Sequence, residues 1–397
     1  MALAGLRVLD LADECASFCS KLLADLGAEV IKVEPPGGDK SRWQGPFWGN
    51  LSHPEKSLSF WYNNTSKLGI TLNLESNEGQ EIFRSLIDRT DVIVETFPPG
   101  YLDGLGLGYK TLCESNPGLI MASVTGFGQG GPYSKYKSCD IVASAMGGQM
   151  YVCGAPDTAP LKPYGQQAYY TASLFAAVGI LMALRLRKHG GQGQHLDISL
   201  QEAVAATLEH VLVRYLYEGV VSGRQGSFHW NRSFCLLPCK DKYVVLSPLI
   251  EWETLVELLD SEGMASDLTE ARWQDEEYRT RHLDHVVEVL QRWTKAHTSA
   301  ELFELGQLMR LPWAPVASPE DVLVSPQLRA RSFFVPVAHP EAKTGFSYAG
   351  APYKFNRATW DIKRRAPLIG EHNIQIYHHE LGYSREKIDE LSSRNAI

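Results

Sequence analysis

The chain reads as an α/β protein built on a doubly wound parallel sheet. Short β-branched-rich runs alternate with amphipathic segments of helical period through its first third, and glycine or proline closes most of them. Arg7-Val-Leu-Asp-Leu-Ala12 is the first predicted strand, and residues 18–26 form a helix stopped by Gly27, a residue favoured just past a helix C-terminus. Residues 28–34 give a second strand, ended by Pro35-Pro36, and residues 69–74 a third, followed by a helix over 79–90. Residues 91–96 and 118–124 are the next two strands, with a helix near 109–116 between them. This order is Rossmann-like.

Further along, a helix is expected over 200–218, then an aperiodic loop over 221–242 rich in Gly, Ser, Arg and aromatic residues. A strand at 242–247, a helix beginning at Trp252 and charged helices through about residue 309 make a smaller α/β domain. The tail is punctuated by Pro336, Pro340, Pro352 and Pro367 and ends in a helix near 384–393. The expected division is 1–205 for the N-terminal part of the large domain, 206–235 for a linker, 236–330 for the small domain, and 331–397 for a return linker and the rest of the large domain.

At 397 residues the chain is long enough for two such domains. A net charge of −8 argues against a general nucleic-acid or anionic-membrane surface, both of which need a basic face, while leaving room for a local basic pocket. No uninterrupted apolar run of membrane-spanning length is present, and Asp10, Asp13, Glu14 and Asp25 do not suit a secretory leader. Seven cysteines without a CxxC pair predict free thiols in a reducing, cytoplasmic setting and no bound metal. No GxGxxG follows the first strand. The turn there is Ala-Asp-Glu-Cys-Ala, whose carboxylates would repel a pyrophosphate, so a dinucleotide cofactor is disfavoured.

Several segments carry a family resemblance in their order and spacing. They are Leu22-Leu-Ala-Asp-Leu-Gly-Ala-Glu-Val-Ile-Lys-Val-Glu34, Asn64-Thr-Ser-Lys67, Glu95-Thr-Phe-Pro-Pro-Gly100 with Gly104-Leu-Gly-Leu-Gly-Tyr109, and Asp140-Ile-Val-Ala-Ser-Ala-Met-Gly-Gly148. The apolar stretch from Tyr169 to Lys188 leads into Gly190-Gly-Gln-Gly-Gln-His-Leu-Asp-Ile-Ser, and Arg365-Ala-Pro-Leu-Ile-Gly-Glu-His372 lies near the end. Together they resemble the family III CoA-transferases, the group of formyl-CoA transferase and the carnitine CoA-transferases, over almost the whole chain. The chain resembles a subunit of a heteromeric member such as benzylsuccinate CoA-transferase. The resemblance implies an interlocked dimer, with the connecting segments of one chain encircling the other.

It also implies a chemistry. An aspartate carboxylate attacks the acyl-CoA thioester to form a mixed anhydride, and the released CoA thiolate converts this to an aspartyl-CoA thioester. An acceptor carboxylate then attacks this thioester, expelling CoA thiolate and forming a second mixed anhydride, and the thiolate takes the acceptor's acyl group and frees the aspartate. That aspartate stands ten residues before the glycine matched here by Gly179, and the count lands on Tyr169. A phenol with an ordinary pKa of about 10 is protonated at neutral pH and cannot form an anhydride. No catalytic residue is therefore expected intact. Asp140 matches a separate acidic position of structural character, and Asp157 falls in a loop.

Other departures surround the same pocket. Thr96, before the matched Phe97, replaces an asparagine, and Gly104 stands where formyl-CoA transferase-like members carry a phosphate-binding arginine. Lys67 and Lys137 match basic positions near CoA, so the CoA-binding candidates are Lys67, Thr96, Phe97 and Lys137. Arg42 with Trp48 suits a bulky carboxylate substrate, and the loop bearing Arg224 and His229 resembles the family's glycine-rich lid. The expected function is that of a CoA-transferase subunit that moves CoA between an acyl-CoA, succinyl-CoA in the first instance, and a carboxylic acid. CoA and acyl-CoA are substrates, with no permanently bound cofactor, and the expected partner is a paralogous chain that keeps the aspartate. The alternatives are a non-catalytic acyl-CoA-binding regulator and a homodimeric acyl-CoA isomerase or racemase.

Overall fold

A computed structural model describes all of residues 1–397. It divides into two compact units, residues Met1–Met150, Lys162–Val220 and Arg329–Ile397 in the first, and Tyr151–Leu161 with Val221–Leu328 in the second. The segments thus differ from the expected boundaries: residues 206–220 belong with the large unit, and 151–161 belong with the small one.

In the first unit, β1 (Arg7–Leu11), β2 (Glu29–Glu34), β3 (Leu68–Thr71), β4 (Val92–Glu95), β5 (Ile120–Thr125) and β6 (His195–Ser199) form one sheet in the order β3-β2-β1-β4-β5-β6. Every neighbouring pair is parallel. This is the dinucleotide-fold strand order, with its direction of winding reversing between β1 and β4. The helices of this unit include α1 (Ser17–Asp25), α2 (Leu58–Asn63), α3 (Asn77–Ile87), α4 (Tyr101–Gly104), α5 (Tyr109–Ser115) and α6 (Asp140–Met146); the short α7 (Gln149–Val152) runs across its boundary in sequence, and α8 (Gln167–Gly190), α9 (Leu200–Ala205) and α10 (His210–Glu218) follow. One core cluster lies under α1 and α8, and a second under α3 and the C-terminal segment.

Three features differ from the sequence expectation. β6 completes the sheet at an edge, where only Leu196 and Ile198 alternate inward, a pattern too short to stand out. The helix expected over 200–218 breaks into α9 and α10, with Glu209 at a positive φ of 46° between them. The proline-punctuated tail contains an antiparallel hairpin, in which Phe334–His339 pairs with Thr344–Ala349 and Pro336 sits opposite Ser347. A lone two-stranded ribbon tolerates that proline because both of its strands are edges.

In the second unit, β7 (Cys235–Pro238), β8 (Tyr243–Leu246) and β9 (Ala314–Pro315) form a three-stranded antiparallel sheet packed with α11 (Trp252–Ser261), α12 (Glu276–Arg281), α13 (Leu283–Thr294) and α14 (Ser299–Leu308). Its core is centred on four buried tryptophans: Trp252, Trp273, Trp293 and Trp313.

Helix α8 has two apolar faces. Ala168, Ala172, Ala176, Ile180 and Ala183 pack inward, the small residues letting the helix lie close to the sheet. Leu174, Phe175, Val178, Met182 and Leu186 lie on the other side, each between 46% and 62% exposed. By length and composition alone this helix is apolar enough to cross a membrane, a test that core helices packed on a sheet, as this one is, also meet. Arg185 and Arg187 interrupt its apolar run, so a search for uninterrupted stretches passes over it.

Beneath the winding reversal sits a buried polar network. Register places Asp10 of β1 beside Lys32 of β2. The Asp10 carboxylate accepts from Lys67 Nζ at 2.7 Å, Ser20 Oγ at 2.7 Å and the Ala12 amide at 3.0 Å. Lys67 Nζ also donates to Asn64 Oδ1 at 2.7 Å and the Ser17 carbonyl at 3.0 Å, which uses all three of its protons. Burial opposes ionisation of Asp10, but Lys67 and Lys32 outweigh it and hold the carboxyl below its usual range. Burial pushes the Lys67 ammonium down to about 8 against the pull of Asp10, so the pair is ionic at neutral pH.

Removing one member strands the other charge. Lys67→Met should lower stability by about 3–5 kcal/mol. The double variant Asp10→Asn/Lys67→Met should lose less than the single one, because no buried charge is left behind. Thermal unfolding of the three proteins in parallel checks this; a double variant weaker than Lys67→Met would contradict it.

Candidate active site

The loops at the carboxyl ends of β1, β4 and β5 enclose a cleft of about 280 Å³. Its position is the crevice that this strand order creates where the winding changes direction. Asp13, Glu14 and Cys15 enter from the turn after β1, Thr96 and Phe97 from the end of β4, and the segment 134–139 from beyond β5. The floor includes Tyr169, in the first turn of α8 and 6% exposed. Asp140 sets the start of that helix, because its Oδ1 accepts from the Ala168 amide at 2.9 Å and the Tyr169 amide at 3.3 Å. It is an N-terminal anchor, as its structural character implied.

The electrostatics of the cleft keep its hydroxyl and thiol protonated. Burial, followed by Cys15 and Glu14, pushes the Tyr169 phenol far above its ordinary range. Burial, with Asp13 and Glu14, likewise raises the Cys15 thiol well above its usual value. Asp13 is ionised but occupied: its carboxylate pairs with Lys40 Nζ at 2.8 Å and accepts from the Cys15 amide at 3.0 Å. Glu14 differs. Gln44 donates to its Oε1 at 2.6 Å, while Oε2 is buried without a hydrogen-bond partner. Burial and the neighbouring Asp13 raise its pKa. The hydroxyls of Thr125 and Ser138, which also line the cleft, are buried and unpartnered. Three orphaned polar atoms in one crevice are what a polar ligand would satisfy.

The sequence matches the CoA-transferase family III model over residues 3–373. The chain belongs to the family III CoA-transferases. It is 36% identical to the succinyl-CoA:(R)-benzylsuccinate CoA-transferase subunit BbsE of Thauera aromatica, with 98% of this chain and 97% of that protein covered. It is 32% identical to the succinyl-CoA–L-malate CoA-transferase beta subunit of Chloroflexus aurantiacus, over 100% and 98% of the two chains. The crystal structure of a CAIB/BAIF family protein from Brucella suis superimposes with a TM-score of 0.86 at 30% identity, covering 95% of this chain and 98% of that one. CoA thioesters are the substrates of such enzymes.

Of the family-derived candidates, Tyr169, Thr96, Phe97 and Lys137 line the cleft together. Thr96 also ties two loops, its Oγ1 accepting from the Asp13 amide at 2.9 Å. Lys67 does not reach the cleft: it is fully buried in the Asp10 network and has no proton left for a phosphate. Arg42 is likewise a structural residue. It is 1% exposed, forms a two-pronged pair with Glu34 at 2.7 Å on each side, and reaches Glu55 at 2.8 Å and the Pro367 carbonyl at 2.9 Å. Trp48 packs with Trp61 beside Phe60 and Ala366. Arg42 thus has its donors already met by neighbouring groups, while Trp48 stays half-buried.

Arg224 and His229 lie in the second unit. Arg224 donates to the carbonyls of Ala155 and Pro156 at 3.0 and 3.3 Å, and His229 bonds Asn231 at 2.9 Å. Asp157 belongs to that unit as well. The space around Gly104 is open, so an arginine would fit there and its absence removes charge without relieving a clash. Lys40 and Lys135, which also line the cleft, were not singled out by sequence. Alternation of Lys135 and Lys137 along the loop was the available signal. Glu14 was read only as a carboxylate hostile to pyrophosphate.

Beside the cleft, a cavity of about 410 Å³ is lined by Glu95, Phe97, Tyr109, Ser123 and His195. Glu95 accepts from the Phe97 amide at 2.6 Å and lies beside Ser123, whose Oγ meets His195 Nε2 at 2.8 Å. Burial raises the Glu95 carboxyl to about 7 despite the Phe97 bond. A carboxyl whose folded pKa is raised stabilises the fold fully below its unfolded value, and loses that contribution as pH rises through 7. The difference from the ordinary 4.5 sets an upper limit on the order of 3 kcal/mol. Glu95→Gln should therefore flatten the decline in stability between pH 4.5 and 7. Thermal midpoints of both proteins across that window check it, and parallel curves would show that Glu95 titrates normally.

Proposed function

We propose that this chain is one subunit of a heteromeric, cytoplasmic CoA-transferase. The enzyme would pass CoA between an acyl-CoA, succinyl-CoA in the first instance, and a carboxylic acid, while a paralogous partner supplies the aspartate nucleophile. The observation that supports this reading is that Tyr169, a protonated phenol held by burial, lines the cleft, and the family resemblance counts the nucleophile's position to that residue. Neither it nor Cys15 offers an ionised group to a thioester, and Asp13 is bound to Lys40.

A partner has a surface to meet. The outer face of α8 and the whole of α10, which has no buried residue and bears Leu216 and Tyr217 at 76% and 86% exposure, would be costly to leave in water. Interlocking of two such chains would cover them. The names of two relatives, each given as a subunit, favour the same arrangement.

Glu14 favours a second reading, turnover by this chain itself. Its unpartnered Oε2 is a carboxylate oxygen inside the cleft, and a glutamyl anhydride is chemically equivalent to an aspartyl one. Its raised pKa and its tether to Gln44 count against it at neutral pH.

Transfer of CoA from succinyl-CoA to aromatic and aliphatic dicarboxylates separates the two readings. The lone chain should show no turnover above background, and co-expression with an aspartate-bearing paralogue should restore it. In that mixture Glu14→Gln in this chain should change the rate less than twofold. Turnover by the lone chain, trapped as a hydroxylamine-sensitive acyl-enzyme and abolished by Glu14→Gln, would replace the first reading with the second.

A further inference from the structure

At the opposite edge of the sheet from the cleft, the amino ends of β1, β2 and β3 border a cavity of about 490 Å³. Arg7, Arg89, Lys363 and Arg364 line it, four cations in a protein whose net charge is −8. Two carboxylates, Glu29 and Asp91, face them, but Asp91 is already engaged by Arg187 at 2.7 Å and by the Arg7 amide at 2.8 Å. The remaining imbalance is positive.

Arg7 makes the cavity more than a ring of surface charge. Its side chain is 14% exposed, and its Nη1 pairs with Glu380. Its Nε and Nη2 are buried without a hydrogen-bond partner, Nε having only Glu29 at 3.6 Å, beyond hydrogen-bonding reach. Leaving guanidinium donors buried and unmet costs about 1–3 kcal/mol, so an acceptor at this position is stabilising. A planar fork with free donors matches the oxygens of a phosphate group.

We propose that this cavity binds a small molecule carrying a diphosphate. A single phosphate would fill a small part of the volume and could not reach cations placed on separate segments. Arg7 comes from β1, Arg89 from the turn before β4, and Lys363 with Arg364 from the strand-like C-terminal segment that crosses β3. An extended anion with several oxygens engages all three segments. Carboxylates offer fewer oxygens per unit length and less charge. The site is separate from the CoA-binding cleft, since no residue lines both. Occupancy would tie the C-terminal segment to the first strand through ligand oxygens, and so would raise the stability of the first unit.

The probe is inorganic pyrophosphate, titrated calorimetrically into the purified protein, with its partner subunit where one is needed, and with sulfate as the control at matched ionic strength. Saturable binding is expected at one site per copy of this chain, with sulfate at least tenfold weaker. The exposed pair Lys363→Ala/Arg364→Ala should weaken pyrophosphate at least tenfold without altering the thermal midpoint of the unliganded protein. Arg7→Met should weaken it further where that variant folds. Lys137→Ala, on the other edge of the sheet, should leave pyrophosphate binding unchanged. Binding no tighter than sulfate would overturn the proposal. So would binding that survives the Lys363/Arg364 pair, or binding that is lost in Lys137→Ala alone, which would place the anion in the CoA cleft.

Discussion

The Asp10–Lys67 ion pair is the constraint on which the rest of the first unit hangs. It lies one strand residue below the turn that carries Asp13, Glu14 and Cys15, and it joins three segments that are far apart in sequence: β1, the start of α1 through Ser17 and Ser20, and the approach to β3 through Asn64. A second knot repeats the device at the other end of α1, where Asp25 takes Lys21 at 2.6 Å and Ser66 Oγ at 2.6 Å. Together they fix α1 along its length, and with it the turn that forms one wall of the cleft. Buried pairs are poor sources of net stability, because desolvation cancels most of the attraction. Their value here is register: a slip of β1 by one residue would turn Asp10 away from Lys67 and leave both charges unmet.

Helix α8 carries the same logic in apolar terms. Its inner face is built mostly of alanine, which brings the helix axis close to the sheet and sets Tyr169 at the floor of the cleft instead of above it. Close approach leaves little freedom for the first turn, and Asp140 removes the rest by capping the amides of residues 168 and 169. The position is therefore rigid, whichever side chain occupies it. Its outer face then has no interior left to join. One helix thus links the geometry of the cleft to the surface available for assembly.

The fold was largely legible in the sequence because the first five strands are buried on both faces and read as continuous apolar runs between clear stops. β6 and the tail hairpin were not, since an edge strand has only one or two inward residues and Pro336 argues against a strand until its partner is known. The site was legible in one respect and misleading in another. Tyr169 stands out because counting back from Gly179 reaches it where the family resemblance implies an aspartate, and it does line the cleft. Lys67 and Arg42 looked like ligands because long cations beside aromatic or polar residues look alike whether they face solvent or a buried carboxylate. Only three-dimensional neighbours tell them apart: Asp10 is 57 residues from Lys67 in sequence. Glu14 was missed for the converse reason. A carboxylate in a turn gives no sign, in sequence, that one of its oxygens is enclosed and unpaired.

The replacement at position 169 is also deeper than one side chain. Asp13 and Glu14 already place two carboxyl groups at the cleft, one held low by Lys40 and one raised by its neighbour. A third carboxylate on the floor would be repelled by both, which would raise its pKa and leave less of it ionised to act as a nucleophile. The phenol avoids that repulsion and is itself almost wholly buried. With no arginine at Gly104 to draw phosphate charge in, the acidic turn and the neutral floor are consistent with each other. The cleft is electrostatically coherent around a tyrosine, which is why a return to carboxylate chemistry at this position would require the turn after β1 to change with it.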